Sequence, residues 1–543
     1  MSRVPPAWLA LLPPVPECRV LDLSPPCHAA AALKSYWAAI GAFPTRWIPE
    51  NATARPSAAI PVLPFSAGSM DFVHLGHLAA LLQGHDSRWL AELLRAVRRI
   101  LEPRGILVVY ASNARWVRMQ RCTLSAPPDK HHQFRCSEPQ LRRMLMGAGF
   151  RSLESYWCDP SVEEPTSLVP LTRACLLNHI QRSAIEGWAN PPRQHRIQAK
   201  SLLAWIGMFP TFAPDFLFVA TPSSTPPAQL SFDALRRAGL ALPDSRPTQL
   251  VVTGSGIFEK LVVAIRYAGG GPYLSTFVRT DRGIARAGRA IEREQEITNR
   301  VGTVLSSGTV SLPQPLGVTK VGSVTYSAET GLRGSSLASV LMTTPAWLRV
   351  SLARRHLIAA ARISIVITQR LRADETVCQL ARLNNANPMT TDCRDELGPW
   401  VQHGDFTIEN LYLVSDRSYG LIDWEHLSVH SVPLYDAVSL LLSAIPLLRG
   451  RRTDNWTAVD GFRTAFLGDG AWAYLFRSIL SFTAKELGVP QHEVRDAFVF
   501  CLRERVSYHR ERASILASVH EAFVRLAVEY YPAHEEKPDL VRS

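Results

Sequence analysis

Between residues 15 and 160, short apolar runs and amphipathic runs take turns along the chain, and this alternation limits the fold more than any other feature. "CRVLDLS", "MDFVHLG" and "GILVVYAS" read as strands; "AAALKSYWAAIG", "HDSRWLAELLRAVRRIL" and "SEPQLRRMLMGAGF" read as helices, the last with Ser137 at its start and a glycine at its end. Strands apolar on both sides need helices on both faces, so a parallel sheet is expected. A chain of 543 residues is long enough for about three or four structural units. The stretch "ATPSSTPPAQL" (Ala220 to Leu230) has the Pro, Ser and Thr content of an exposed connector and predicts a boundary near residue 225.

Composition narrows the function classes. With 47% hydrophobic and 20% charged residues, the chain has ample material for packed cores. A formal charge of +12 favours anionic ligands, yet the basic residues lie in short clusters such as "LLRGRR", which suit solvated helix faces rather than a nucleic-acid patch. Nine cysteines without a Cys-x-x-Cys pair argue against a disulfide framework and a thiolate zinc site, and fit a reducing cytoplasm. The proline-broken N-terminus makes a poor signal peptide, and "AVSLLLSAIPLL" (Ala437 to Leu448) is shorter than the ~20 residues a bilayer span needs. A cytoplasmic protein without a membrane span is expected, and nothing in the sequence specifies an oligomeric state.

The second half changes rhythm. "TQLVVTG", "KLVVAIRY" and "YLSTFVR" read as strands, with Gly254, Ser255 and Gly256 in the first turn and the helix "GRAIEREQEITNRVGTVL" after them, an order able to cover nucleotide phosphates. Further on come "HGDFTIEN" (His403 to Asn410) and "GLIDWE" (Gly420 to Glu425). Magnesium takes hard oxygen ligands, usually one or two carboxylates with phosphate and water. The spacing from Asp405 to Asn410 lets both reach one cleft, and the apolar runs "LYLV" and "YGLI" predict a hairpin that returns Asp423 beside Asn410. Asp and Asn are also common as plain turn and cap residues. Three at this spacing, with His-Gly before and Trp-Glu after, favour a phosphoryl-transfer site.

Two family resemblances follow from these motifs. Residues 15 to 160 resemble the class I S-adenosylmethionine-dependent methyltransferases in "RVLDLS", "LPFSAGSMDFVHLGHLAALL", "AVRRILEPRGILVVYAS" and "FRCSEPQLRRMLMGAGFRSLESYW". That resemblance implies a Rossmann-like domain over residues 1–224, with Asp22, Glu50 and Asp71 lining a possible S-adenosylmethionine pocket. In place of the family's glycine-rich turn stand Ser24, Pro25 and Pro26, which remove backbone donors and close approach.

Residues 246 to 445 resemble the aminoglycoside phosphotransferase and choline kinase family of the protein-kinase-like fold, most specifically in "HGDFTIEN", "GLIDWEHLS" and "VPLYDAVSLLL". By that resemblance a linker (225–245) leads to a small lobe (246–335), a helical lobe (336–531) and a tail (532–543). The α+β two-lobed domain would move the γ-phosphate of ATP to a hydroxyl of a small molecule or glycan. Asp405 would be catalytic, Asn410 and Asp423 would bind Mg2+, and His403 and Asp436 would support the loop. Gly254, Ser255, Gly256, Arg279 and Glu294 would contact the nucleotide. The family's strand lysine is missing from "YLSTFVRT": Thr276 stands near its place, and Arg279 points to the opposite face unless a bulge shifts it. Two other functions stay open, a binding or scaffold protein and a methyltransferase with a kinase-like accessory domain.

Overall fold

The computed structural model describes residues 6–23, 29–46, 62–81, 86–113, 136–159, 165, 167–186, 199–254, 260–267, 275–305, 308, 310–384, 400–448, 457–511 and 516–531. The chain forms two compact units, Met1–Ile180 with Gln198–Glu292 and Leu316–Thr330, and Gln181–Ile197 with Arg293–Pro315 and Gly331–Ser543.

The first unit is built on one mixed sheet of twelve strands: β1 (Arg19–Asp22), β2 (Phe43–Arg46), β3 (Met70–His77), β4 (Leu101–Ser112), β5 (Ser152–Asp159), β6 (Ser167–Pro170), β7 (Asp215–Thr221), β8 (Pro247–Gly254), β9 (Leu261–Tyr267), β10 (Ser275–Thr280), β11 (Pro315–Val321) and β12 (Val324–Thr330). Their spatial order is β2-β1-β3-β4-β7-β5-β6-β8-β9-β10-β12-β11. Only β2, β1, β3 and β4 are mutually parallel. From β4–β7 to β10–β12 the pairs are antiparallel, so the expected parallel sheet is confined to one end. Chain length explains part of this: parallel neighbours need a crossover of about a dozen residues or more, which the short β5–β6 and β8–β9 connections cannot supply.

The helix Ser87–Ile100 shows how sequence becomes packing. Asp86 caps its start by accepting from the Trp89 amide at 2.9 Å, and Arg98 and Arg99 sit in its last turn. Leu90, Leu93, Leu94, Val97 and Ile100 are buried at helical spacing against the parallel strands.

The expected linker 225–245 is no exposed connector. Pro227–Arg237 is a helix that buries Ala228, Leu230, Phe232 and Leu235. The Ala228 amide donates to Glu154 Oε1 at 3.0 Å, and Ser231 Oγ donates to the Leu11 carbonyl at 2.6 Å. Pro, Ser and Thr content marks turns; it does not measure burial, and the amphipathic spacing of "AQLSFDALRR" carried the missing information.

The second unit is mainly helical, with Ala346–Arg372, Tyr435–Ala444, Ala471–Glu486, Val494–Glu511 and Leu516–Tyr530 among its helices. Its short strands are β13 (Ser335–Ser336), β14 (Trp400–Gln402), β15 (Leu411–Ser415), β16 (Ser418–Leu421) and β17 (Ser428–His430). One core joins Leu357, Phe406, Trp424, Leu440, Phe476 and Phe498, so the helices and the loop after β14 share a floor. Among the described residues no helix is long and apolar enough to cross a membrane.

Candidate active site

The site grows from the end of β14. Gln402 is fully buried; its Oε1 accepts from the Asp436 amide at 3.0 Å and its Nε2 donates to the Val432 carbonyl at 2.8 Å. Asp436, in the first turn of Tyr435–Ala444, answers by accepting from the backbone amides of His403 and Gly404, each at 2.9 Å. Burial pushes the Asp436 carboxyl above its usual range, and His403 and the two amide donors oppose that shift.

His403 is neutral with a defined tautomer. Its Nδ1 accepts from the Asp405 amide at 3.2 Å, so Nε2 carries the proton and donates to the Ile422 carbonyl at 3.0 Å. Burial pushes its pKa down, as an imidazole already satisfied at both nitrogens requires. The Trp424 ring lies 4.5 Å from the His403 ring. Gly404 completes the turn at φ +83°, and a Cβ there would meet the His426 carbonyl oxygen at 2.0 Å. Only glycine fits.

These supports present Asp405. Asn410 Nδ2 donates to the Asp405 carbonyl at 3.0 Å and to Asp405 Oδ2 at 2.9 Å, which fixes the carboxylate and leaves Asn410 Oδ1 as the atom that could face a cation. The hairpin β15–β16 pairs Leu411 with Leu421, and the Ile422 amide donates to the Asn410 carbonyl at 3.1 Å. Asp423 follows at φ 69°, ψ 63°, a left-handed conformation that Asp tolerates better than most residues. The tight turn Trp424–His426 then places Glu425 near Asp423, and buried Glu294 joins them from the helix Ala285–Leu305.

Carboxylate oxygens of Glu294, Asp423 and Glu425 lie within 4.8 Å of one another, so this cluster could coordinate a divalent cation. An all-oxygen donor set suits a hard ion such as Mg2+. Asn410, expected as a ligand with Asp423, donates its Nδ2 to Asp405, an arrangement that leaves its Oδ1 for that role. Gln402 and Glu425 received no role from the sequence. Gln402 directly precedes the His-Gly-Asp run, and Glu425 stands two residues beyond Asp423; adjacency was the available signal.

The remaining expected residues scatter. Gly254 closes β8 opposite Leu261, while Ser255 and Gly256 lie outside the described residues. β10 pairs with both neighbours without a register shift, so Arg279 keeps the face opposite Thr276 and cannot take the place of a strand lysine. Its guanidinium pairs with buried Glu329 at 2.8 Å, and Thr276 Oγ1 accepts from the Tyr267 hydroxyl at 2.7 Å. In the parallel strands Asp22 and Asp71 do not share a pocket. Asp22 pairs with His74 at 3.0 Å, where Trp8 stacks on the His74 ring. Asp71 lies three residues nearer the start of β3, in an ion cluster with Arg19 and Glu102. The register Val20↔Phe72 forces this separation of roughly 10 Å. Glu50 and the turn Ser24–Pro25–Pro26 lie outside the described residues.

No family model and no curated protein matches the chain. Among solved structures, an aminoglycoside phosphotransferase in ternary complex with ADP and hygromycin B is 13% identical over 54% of this chain and 97% of its own, with a TM-score of 0.30. An aminoglycoside phosphotransferase from Streptomyces rimosus is 18% identical over 50% of this chain and 95% of its own, with a TM-score of 0.28. An S-adenosylmethionine-dependent methyltransferase from Methanosarcina mazei is 11% identical over 39% of this chain and 95% of its own, with a TM-score of 0.23. The chain thus has weak, partial-coverage similarity to both a methyltransferase-like and an aminoglycoside phosphotransferase-like fold, and to no specific family.

Proposed function

We propose that the second unit carries the catalytic end of an ATP-dependent phosphotransferase whose acceptor is a hydroxyl of a small molecule or glycan. The observation behind this reading is the buried scaffold of Gln402, His403 and Asp436, which holds the Asp405 carboxylate against Asn410. A scaffold of this kind restrains one carboxylate beside a group of acidic oxygens, which is what hydroxyl activation next to a metal-bound phosphate requires. Asp405 accepts the hydroxyl proton as the acceptor oxygen bonds to the γ-phosphorus and the bond to the β–γ bridging oxygen breaks, leaving ADP. Asp423, with Glu294, Glu425 or Asn410 Oδ1, would hold Mg2+. When bound, the ion neutralises phosphate charge.

A binding or scaffold role is the second reading. It is favoured by the absence of a lysine from β10 and by the Arg279–Glu329 pair, which ties up the nearest strand cation. Transfer of γ-phosphate from ATP to a panel of polyhydroxy and amino-alcohol acceptors, followed by 31P NMR, separates the two. Turnover in the wild type that disappears in Asp405→Asn supports phosphotransfer. Nucleotide binding without turnover on any acceptor moves the protein to the second reading.

A further inference from the structure

The strands β8 to β12, expected within a small lobe (246–335), continue the sheet of the N-terminal α/β layer. The junction is β6–β8, where Ser167 pairs with Thr253 and Leu168 with Val252. One hydrophobic core runs through both parts, with Trp8, Val20, Trp37 and Phe72 on one side and Val252, Val263, Val278 and Tyr326 on the other. The Tyr36 and Tyr326 hydroxyls meet at 3.3 Å inside it. The helix Ala29–Ala39 also reaches two turns of the small sheet. The Ser323 amide donates to the Ala39 carbonyl at 2.8 Å, and Gly322, at φ +59°, lies so close that a Cβ would stand 2.2 Å from the Ala39 oxygen. At Gly283 a Cβ would stand 2.9 Å from Ala39 Cβ. Gly283 belongs to the turn from which the helix Ala285–Leu305 starts, and the same turn is tied to β12 by Asp281, which accepts from the amides of Gly283 (2.7 Å) and Thr325 (3.1 Å).

We propose that the N-terminal α/β layer acts as the fixed backing of the β8–β12 sheet, folding with it as one cooperative unit and pinning, through Ala39, the turns that seat the helix Ala285–Leu305. Such a layer gives the small sheet a rigid edge in place of a free one. The link to nucleotide handling rests on the phosphotransferase reading; the folding unity does not.

Hydrogen exchange on the full-length protein tests the proposal. Leu94 is fully buried in the core around Ser87–Ile100, a core to which none of β8–β12 contributes. In Leu94→Ala, amides of β9 and β10 should exchange roughly 100-fold faster, in step with those of β3 and β4. Loss of protection in β3 and β4 while β9 and β10 keep wild-type rates would overturn the proposal. Should Leu94→Ala fail to fold, Leu94→Met asks the same question with a smaller, about tenfold, change. Gly322→Ala should raise exchange at Ser323 and in the helix start near Ala285, and it should weaken Mg-ATP binding. A wild type that binds no nucleotide defeats the phosphotransferase reading alone, because the exchange pattern still decides the folding unity; a Gly322→Ala variant with unchanged exchange at Ala285–Ile291 defeats the clamp.

Discussion

Gly404→Ala isolates what the His-Gly-Asp turn does. The backbone there has φ +83°, and an added Cβ would stand 2.0 Å from the His426 carbonyl oxygen and 3.1 Å from Ser428 Oγ. The left-handed conformation costs an alanine about 1–2 kcal/mol. Relieving the clash takes a shift of about 1 Å, which breaks the 2.9 Å bond from the Gly404 amide to the Asp436 carboxylate; a bond to a charged acceptor contributes about 1.5–3 kcal/mol. Together these give a destabilisation of roughly 2.5–5 kcal/mol, or about 5–20 °C in midpoint for a unit of this size. Thermal unfolding followed by circular dichroism reads the shift. Gly488→Ala is the control: it shares a positive φ (+77°) and has nothing within 4 Å of its Cβ, so it should cost only the conformational part. Equal losses in the two variants would refute the packing of the turn against His426.

Asp405→Asn should lower any phosphotransfer by about 100-fold to 10,000-fold while leaving the melting midpoint within a few degrees, a pattern checked by turnover and calorimetry. Arg279→Met should destabilise the first unit by about 3–5 kcal/mol, because buried Glu329 loses the guanidinium it meets at 2.8 Å, and Arg279→Met/Glu329→Leu should recover much of that loss in urea unfolding. Burial, with Arg505 and His509 nearby, lowers the His520 pKa to about 2, and burial lowers those of His356 and His403 as well. With folded values below the unfolded value of about 6.5, their stabilisation is complete above that pH and is lost as pH falls; for His520, whose folded value lies near 2, the loss runs at about 1.4 kcal/mol per pH unit. His520→Phe should therefore flatten the acid limb of a stability-versus-pH curve between pH 6 and 4 by about that slope, and an unchanged limb would show that His520 titrates normally.

What the sequence disclosed, and what it hid, follows the range of the interactions. Local signals were readable: the buried face of Ser87–Ile100, the hairpin β15–β16 and the compact motif from His403 to Asn410 all depend on residues close in sequence. The β6–β8 junction was not readable, since it rests on two register pairs between segments more than eighty residues apart, and nothing in either strand names its partner. Asp71 misled for a similar reason. Its position in a strand was visible, but which end of the parallel register it occupied depended on pairing with β1. Arg279 was legible as facing away from Thr276, and its buried partner Glu329 became apparent only when β12 was laid beside β10.

Calorimetric titration with Mg2+, in the presence and absence of ATP, bears most directly on the C-terminal site. The wild type should take up the ion and bind ATP only with it, and both Asp423→Asn and Glu425→Gln should weaken that uptake at least about tenfold, with Asp423→Asn the more severe. Cation uptake and ATP affinity identical in the wild type and both variants would contradict the account.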